Sequence, residues 1–378
     1  MVVTYTFLNA LYSTKQRGLY FMTHYSIYFL FLIFFQACGT GVKPPPPPEP
    51  EPNFKEGEYG GEELPGTEHF TQIKHSPDGQ QAALIRKYTP NQSDPLYQLW
   101  IMNADGSNPE LISYNVLNVD WHPNGNELAL TFNPHTTPYL YVFTLNLETK
   151  KLELWNSKEN QFFHKYTSAT TGWFEDGERL LIGVNGKAYQ QKYDRGIYIL
   201  NVTDTSHVGP IRTLFSPAQL GNNEKWVVGF QYTDDNLSAN RGLLNLETKE
   251  FKWLTTYPTS SDSLREFTEY PTINPSGPEI ILPRYVENAW QLFHINAEGE
   301  NVEQLTELGG HEVTWTRGKD FFTFNRDTHK APGAKFIPYI YNFPEGTEEP
   351  LWPNLPDSVP SFPEFSTQNP IHLINYVD

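Results

Sequence analysis

At 378 residues the chain is longer than one average domain, but a single all-β ring reaches this size. Nine Trp, 22 Tyr and 25 Phe, together with 31 Pro and 26 Gly, suit many short strands joined by turns rather than long helices. A formal charge of −17 argues against nucleic-acid binding, and a single cysteine excludes an internal disulfide.

The N-terminal region carries Lys15 and Arg17 and then an uninterrupted apolar run, "IYFLFLIFF" (27–35). That run is too short to span a bilayer and suits the core of a signal peptide. Ala37 precedes Cys38 and Gly39 succeeds it, which resembles the lipobox of bacterial lipoproteins. The resemblance implies cleavage before Cys38, acylation of its thiol, and a charge of −19 once Lys15 and Arg17 are lost. Met22 is an alternative start, and an ordinary secretory signal with an incidental cysteine is the alternative to the lipoprotein. Next comes "KPPPPPEPEP" (43–52), a stiff polyproline spacer that holds the rest of the chain roughly 30 Å from the anchor at about 3 Å per residue.

From residue 70 onward one grammar repeats: a strand, a tight polar turn and a returning strand. It reads "FTQIKHSPDGQQAALI" (70–85), "VLNVDWHPNGNELALTF" (116–132), "TTGWFEDGERLLIGV" (170–184), "AQLGNNEKWVVGF" (218–230), "YPTINPSGPEIIL" (270–282) and "EVTWTRGKDFFTF" (312–324). Second hairpins such as "LWIMNADGSNPELI" lie between them. Asp-Gly and Asn-Gly supply the positive φ that short hairpins need. Four strands every 40 to 50 residues is the signature of an all-β propeller built from four-stranded antiparallel blades.

"HSPDG" (75–79) and "MNADGSN" (102–108) resemble the first and second turns of TolB-type propellers, and Trp121, Trp173 and Trp315 stand just before the first turn in three other repeats. Those tryptophans are expected to pack between blades. "FPEFSTQNPIHLINYVD" (362–378) looks like one more hairpin, with "EYGGEELPGTEHF" (58–70) supplying its outer strands. The expectation is therefore seven blades closed by N- and C-terminal strands, with six blades and an ordered tail as the alternative. The chain divides into a signal peptide (1–37), a lipid-anchored Pro-rich linker (38–53) and the propeller (54–378).

In such blades both tight turns fall on one rim, and the longer, dissimilar loops fall on the other. Elaborate loops on a rigid ring are where recognition usually resides. Arg86, Arg284 and Arg326 recur seven residues after the turn position, and Arg195 and Arg241 lie near the same rim. Together they suggest a cationic collar for carboxylates, with His135, His164 and His329 nearby; pairing of each arginine with neighbouring acids is the alternative.

Catalytic signatures are missing from the sequence: no GxSxG elbow, no HExxH, no P-loop and no EF-hand loop. "TDDN" (233–236) suits a solvated turn better than a Ca²⁺ site. TolB-like relatives are docking platforms in the periplasm, and the resemblance implies a lipid-anchored binding module of the cell envelope, facing the periplasm from the outer membrane. An envelope protein, peptide or glycan is the expected partner, the lipid is the only membrane contact, and a monomer is expected. No cofactor is expected. The competing class is a propeller lyase or hydrolase on acidic polysaccharide, which bound Mn²⁺ or Ca²⁺ would favour.

Overall fold

The computed structural model describes residues 68–88, 96–134, 140–155, 166–187, 196–212, 215–232, 239–255, 270–286, 289–300, 302–316, 320–326, 336–355, 362 and 370–373. Its 24 strands form six antiparallel sheets of four, each built from consecutive strands. The first blade holds β1 (Glu68–His75), β2 (Gln81–Tyr88), β3 (Leu96–Asn103) and β4 (Glu110–Tyr114). In the second are β5 (Val116–Trp121), β6 (Glu127–Phe132), β7 (Tyr141–Asn146) and β8 (Leu152–Leu154). The third comprises β9 (Tyr166–Trp173), β10 (Arg179–Lys187), β11 (Gly196–Asn201) and β12 (His207–Val208). The fourth is made of β13 (Phe215–Gly221), β14 (Trp226–Tyr232), β15 (Ala239–Asn245) and β16 (Phe251–Trp253). The fifth contains β17 (Thr272–Ile273), β18 (Ile280–Val286), β19 (Ala289–Ile295) and β20 (Glu303–Gln304). Last come β21 (His311–Trp315), β22 (Phe321–Arg326), β23 (Ile337–Asn342) and β24 (Thr347–Pro350).

The inner strands touch in the order β1, β5, β9, β13, β17, β21 and back to β1, which closes the ring. Strand side chains alternate between faces, so a blade packed on both sides must be apolar on both. The middle strands obey this. Ala82 and Leu84 face the sixth blade while Ala83 and Ile85 face the second. Six buried clusters result, one in each gap between neighbouring blades. Trp121, Trp173 and Trp315 are each at most 5% exposed and belong to three of these clusters, so they pack between blades as their position in the repeat suggests.

The turns explain why the chain reverses where it does. Gly79, Gly125 and Gly177 take φ of 72°, 77° and 69°. The fourth repeat lacks that glycine, and Asn222, Asn223 and Glu224 instead take φ of 49°, 50° and 64° in succession. Asn tolerates this region far better than most residues, whereas Glu224 is strained there. At the outer hairpins an asparagine marks the start of all six turns: Asn103, Asn146, Asn201, Asn245, Asn296 and Asn342. Side-chain oxygens of Asn146, Asn201 and Asn245 accept the N–H groups of Thr149, Thr203 and Thr248 at 2.8, 2.8 and 2.9 Å. That Asx geometry fixes the turn without a glycine.

Six blades, not seven, make the ring, and among the described residues no blade is completed by strands from both ends of the chain. The reason is that β1 already meets β21 across the seam, which leaves no gap for a further sheet. The described part of the C-terminal segment forms only one parallel bridge, Ile371 with Ser113 on the outer strand of the first blade. Residues 1–67, and with them Cys38, the polyproline spacer and "EYGGEELPG", lie outside the described residues.

Candidate site at the axial mouth

A concavity lies at the ends of the inner strands, on the rim that carries the tight turns. It is an open mouth of about 410 Å³ to which all six blades contribute, among them Lys74, Asp120, Gly172, Gln219, Ser276 and Trp315. Lys74, Asp120, Gly172, Gln219, Thr272 and Thr314 are structurally equivalent. Each stands opposite the corresponding residue of the second strand, respectively Ala83, Ala129, Leu181, Val228, Ile281 and Thr323. An antiparallel blade with a fixed turn therefore delivers this one position to the axis six times.

Two neighbours at that position carry opposite charges. Lys74 Nζ donates to Asp120 Oδ1 at 2.8 Å, with both side chains 11% exposed. The other Asp120 oxygen accepts the Trp173 N–H at 2.7 Å, so one carboxylate ties the first, second and third blades together. Trp121 Nε1 adds a bond to the Lys74 carbonyl at 2.9 Å. Further round, Thr272 Oγ1 donates to Gln219 and accepts from the Trp315 N–H at 3.3 Å. Gly172 puts no side chain beside Asp120, which keeps the mouth open there.

On the rim, Glu224 accepts the Glu175 N–H and lies 3.6 Å from Arg179, which also pairs with Asp176. Asn222 and Asn223 donate to the carbonyls of Asn274 and Pro275 at 2.7 Å each, which joins the turns of the fourth and fifth blades. His122 accepts the Asn124 N–H at Nδ1, so its Nε2 carries the proton and donates to the Gly177 carbonyl at 2.9 Å. Burial pulls the imidazole of His75, which also lines the mouth, below its ordinary value. Hydrogen bonds from Ser76 hold Asp78 below the usual carboxylate range. Among the described residues, no group of three or more His, Cys, Asp or Glu side chains is placed to hold a metal ion.

The arginines singled out by the sequence stand elsewhere, on the second and third strands of four blades. Arg326 is 7% exposed and pairs with Glu348, two strands away in its own sheet. Arg86 donates to Gln98 at 3.0 Å and lies 4.6 Å over the ring of Phe362. Arg241 is fully buried over Phe230, and Arg284 sits 5.3 Å over Phe293. Arg195, His135, His164, His329 and Cys38 lie outside the described residues, as do residues 233–236 and most of the loops on that rim. His311 is buried against Phe336.

Sequence reasoning passed over Lys74 and Asp120. The available signal was a charge five residues before the turn glycine, with opposite signs in consecutive repeats.

No protein-family model matches the chain, and neither does any curated protein sequence. Similar solved structures include TolB from Acinetobacter baumannii, at 12% identity and a TM-score of 0.46, covering 61% of this chain and 53% of that one. The β-propeller domain of the Trilobed protease from Pyrococcus furiosus gives 12% and 0.46, covering 75% and 83%. Pyrococcus horikoshii acylaminoacyl peptidase gives 12% and 0.44, covering 72% and 44%. The chain thus spans about half the length of the TolB structure it matches. On its own strand order, inter-blade contacts and turn sequences, the chain is a six-bladed β-propeller whose turn motifs resemble those of TolB-type propellers.

Proposed function

We propose that this chain is a binding module of the cell envelope, tethered by a lipid on Cys38, that docks a partner at the axial mouth on its turn rim. The observation that carries this reading is the mouth itself, an open concavity to which every blade contributes. Concave sites with a few convergent polar groups are the default binding locations on a rigid scaffold. Among the described residues of the first turns of the blades, Asp78, Glu175, Asp176, Glu178 and Glu224 outnumber Arg179 and Lys225. Such a rim attracts cationic segments and repels acidic ones, so the partner is expected to present Lys or Arg. The apolar run before Cys38 and the polyproline spacer after it favour a domain held off a membrane, and Gly39 after the cysteine fits the outer membrane facing the periplasm.

A photo-crosslinking residue in place of Glu175 tests the docking surface, with one in place of the exposed edge residue Val208 as control. Position 175 should give a discrete adduct in envelopes and position 208 none. Ser276→Trp, at an exposed place on the mouth, should abolish the adduct, and Glu175→Lys in purified protein should weaken its binding to the identified partner. An adduct unaffected by Ser276→Trp would overturn the assignment of the mouth. Cys38→Ser should release the protein from membranes, and retention would remove the lipid tether.

A further inference from the structure

The seam between the sixth and first blades is filled in part by a segment that belongs to no sheet. Trp352, just after β24, donates from Nε1 to the Ala104 carbonyl at 3.1 Å, in the outer turn of the first blade. That turn is shaped to receive it. Gly106 takes a φ of +84°, and a Cβ there would lie 2.7 Å from Leu355 and 3.1 Å from Trp352. Phe362 then packs against Phe70 and Trp100, with ring centroids 5.9 and 4.9 Å away, and beneath the Arg86 guanidinium. Both rings belong to the cluster that fills the seam.

The segment reaches the far side of the same blade. The Ile371 N–H donates to the Ile112 carbonyl at 2.8 Å, and Ser113 Oγ donates to the Ile371 carbonyl at 2.7 Å. Leu373 is 1% exposed within the cluster between the first and second blades. The first blade is therefore held from its outer turn, its seam face and its outer edge strand by residues more than 230 positions away along the chain. An outer edge strand with free backbone groups accepts just this kind of extended partner.

We propose that the C-terminal segment is a strap that fastens the first blade into the ring, in place of a strand contributed across the seam. Because every sheet is contiguous in sequence, no backbone pairing crosses the seam within the blades among the described residues. What joins them there is side-chain packing, bonds from Thr323 and Asn325 to the carbonyls of Ile73 and Phe70, and the strap. Releasing the strap should loosen the first blade and its neighbour across the seam, and leave the opposite side of the ring as it was.

Native-state hydrogen exchange on the full chain and on a variant ending at Leu355 reads this directly. Local opening is measured segment by segment, and amides of β1–β4 and β21–β24 should lose about tenfold or more in protection while those of β10, β11, β14 and β15 change less than about twofold. Should the truncated chain fail to fold, Phe362→Ala and Leu373→Ser in the full chain are read the same way, with the same polarised pattern expected. A synthetic peptide of residues 356–378 added to the folded truncation should restore protection. Unchanged protection in the first blade, or an equal loss in all six, would overturn the proposal.

Discussion

The buried pair of Lys74 and Asp120 offers the sharpest test of how the mouth is held. Breaking such a pair leaves one ion poorly solvated and costs about 3–5 kcal/mol. With both side chains 11% exposed, water can reach them slightly, so the lower end applies, about 3 kcal/mol for either Lys74→Met or Asp120→Asn. The double variant removes both charges, and the amide oxygen that replaces the carboxylate at position 120 still accepts the Trp173 N–H. It should cost about 3 kcal/mol or less, well short of the roughly 6 kcal/mol that addition predicts, which gives a coupling near 3 kcal/mol. Urea unfolding of the four proteins at pH 7, monitored by tryptophan fluorescence, measures each free energy. In 1 M salt the coupling should persist, because a buried pair is screened far less than an exposed one. Additivity within about 0.5 kcal/mol would refute the reasoning and mean that the two charges do not depend on each other in the folded protein.

His75 should make stability fall with acid. Its folded pKa is lowered by burial, so the unfolded chain takes up the proton first, and stability present above the ordinary value of 6.5 is lost as the pH drops through it. His75→Gln should flatten the difference between urea midpoints at pH 7.5 and 5.5, and equal slopes in both proteins would contradict the assignment. Gly79→Ala and Gly177→Ala should separate two costs of a turn. At Gly79 a Cβ meets nothing, so only the φ of +72° matters, about 1 kcal/mol. At Gly177 it would lie 2.6 Å from His122 Nε2, so the bond from His122 to the Gly177 carbonyl should be lost as well, and its thermal midpoint should drop further than that of Gly79→Ala.

Much of the ring was legible because each blade repeats a local rule. "SPDG", "HPNG" and "FEDG" are turns wherever they occur, and a Trp ahead of them has only the gap between blades to enter. The blade count was not legible. "FPEFSTQNPIHLINYVD" has the apolar spacing of a hairpin, yet Phe362 and Leu373 use it to fill two clusters on either side of the first blade. Whether an extended segment forms a new sheet or lies along an old one depends on whether the ring has room for it. The fourth repeat shows a local rule being replaced, since Asn222 and Asn223 take over from a glycine and bond to the next turn. Partners were hardest to see. Arg326 pairs two strands across, with Glu348, and Lys74 pairs one blade across, with Asp120, and neither separation is written in the spacing of one repeat.

The contiguity of every sheet bears on how the molecule comes into being. Pairing partners within a blade are separated by at most a few tens of residues, so each can form soon after its own stretch leaves the ribosome or an export channel, without waiting for the chain's end. The meeting of β21 with β1, and the docking of Trp352, Phe362 and Ile371 on the first blade, span the whole domain. Synthesis order and assembly order can then coincide from one blade to the next, and ring closure and the docking of the C-terminal segment are left as the late events.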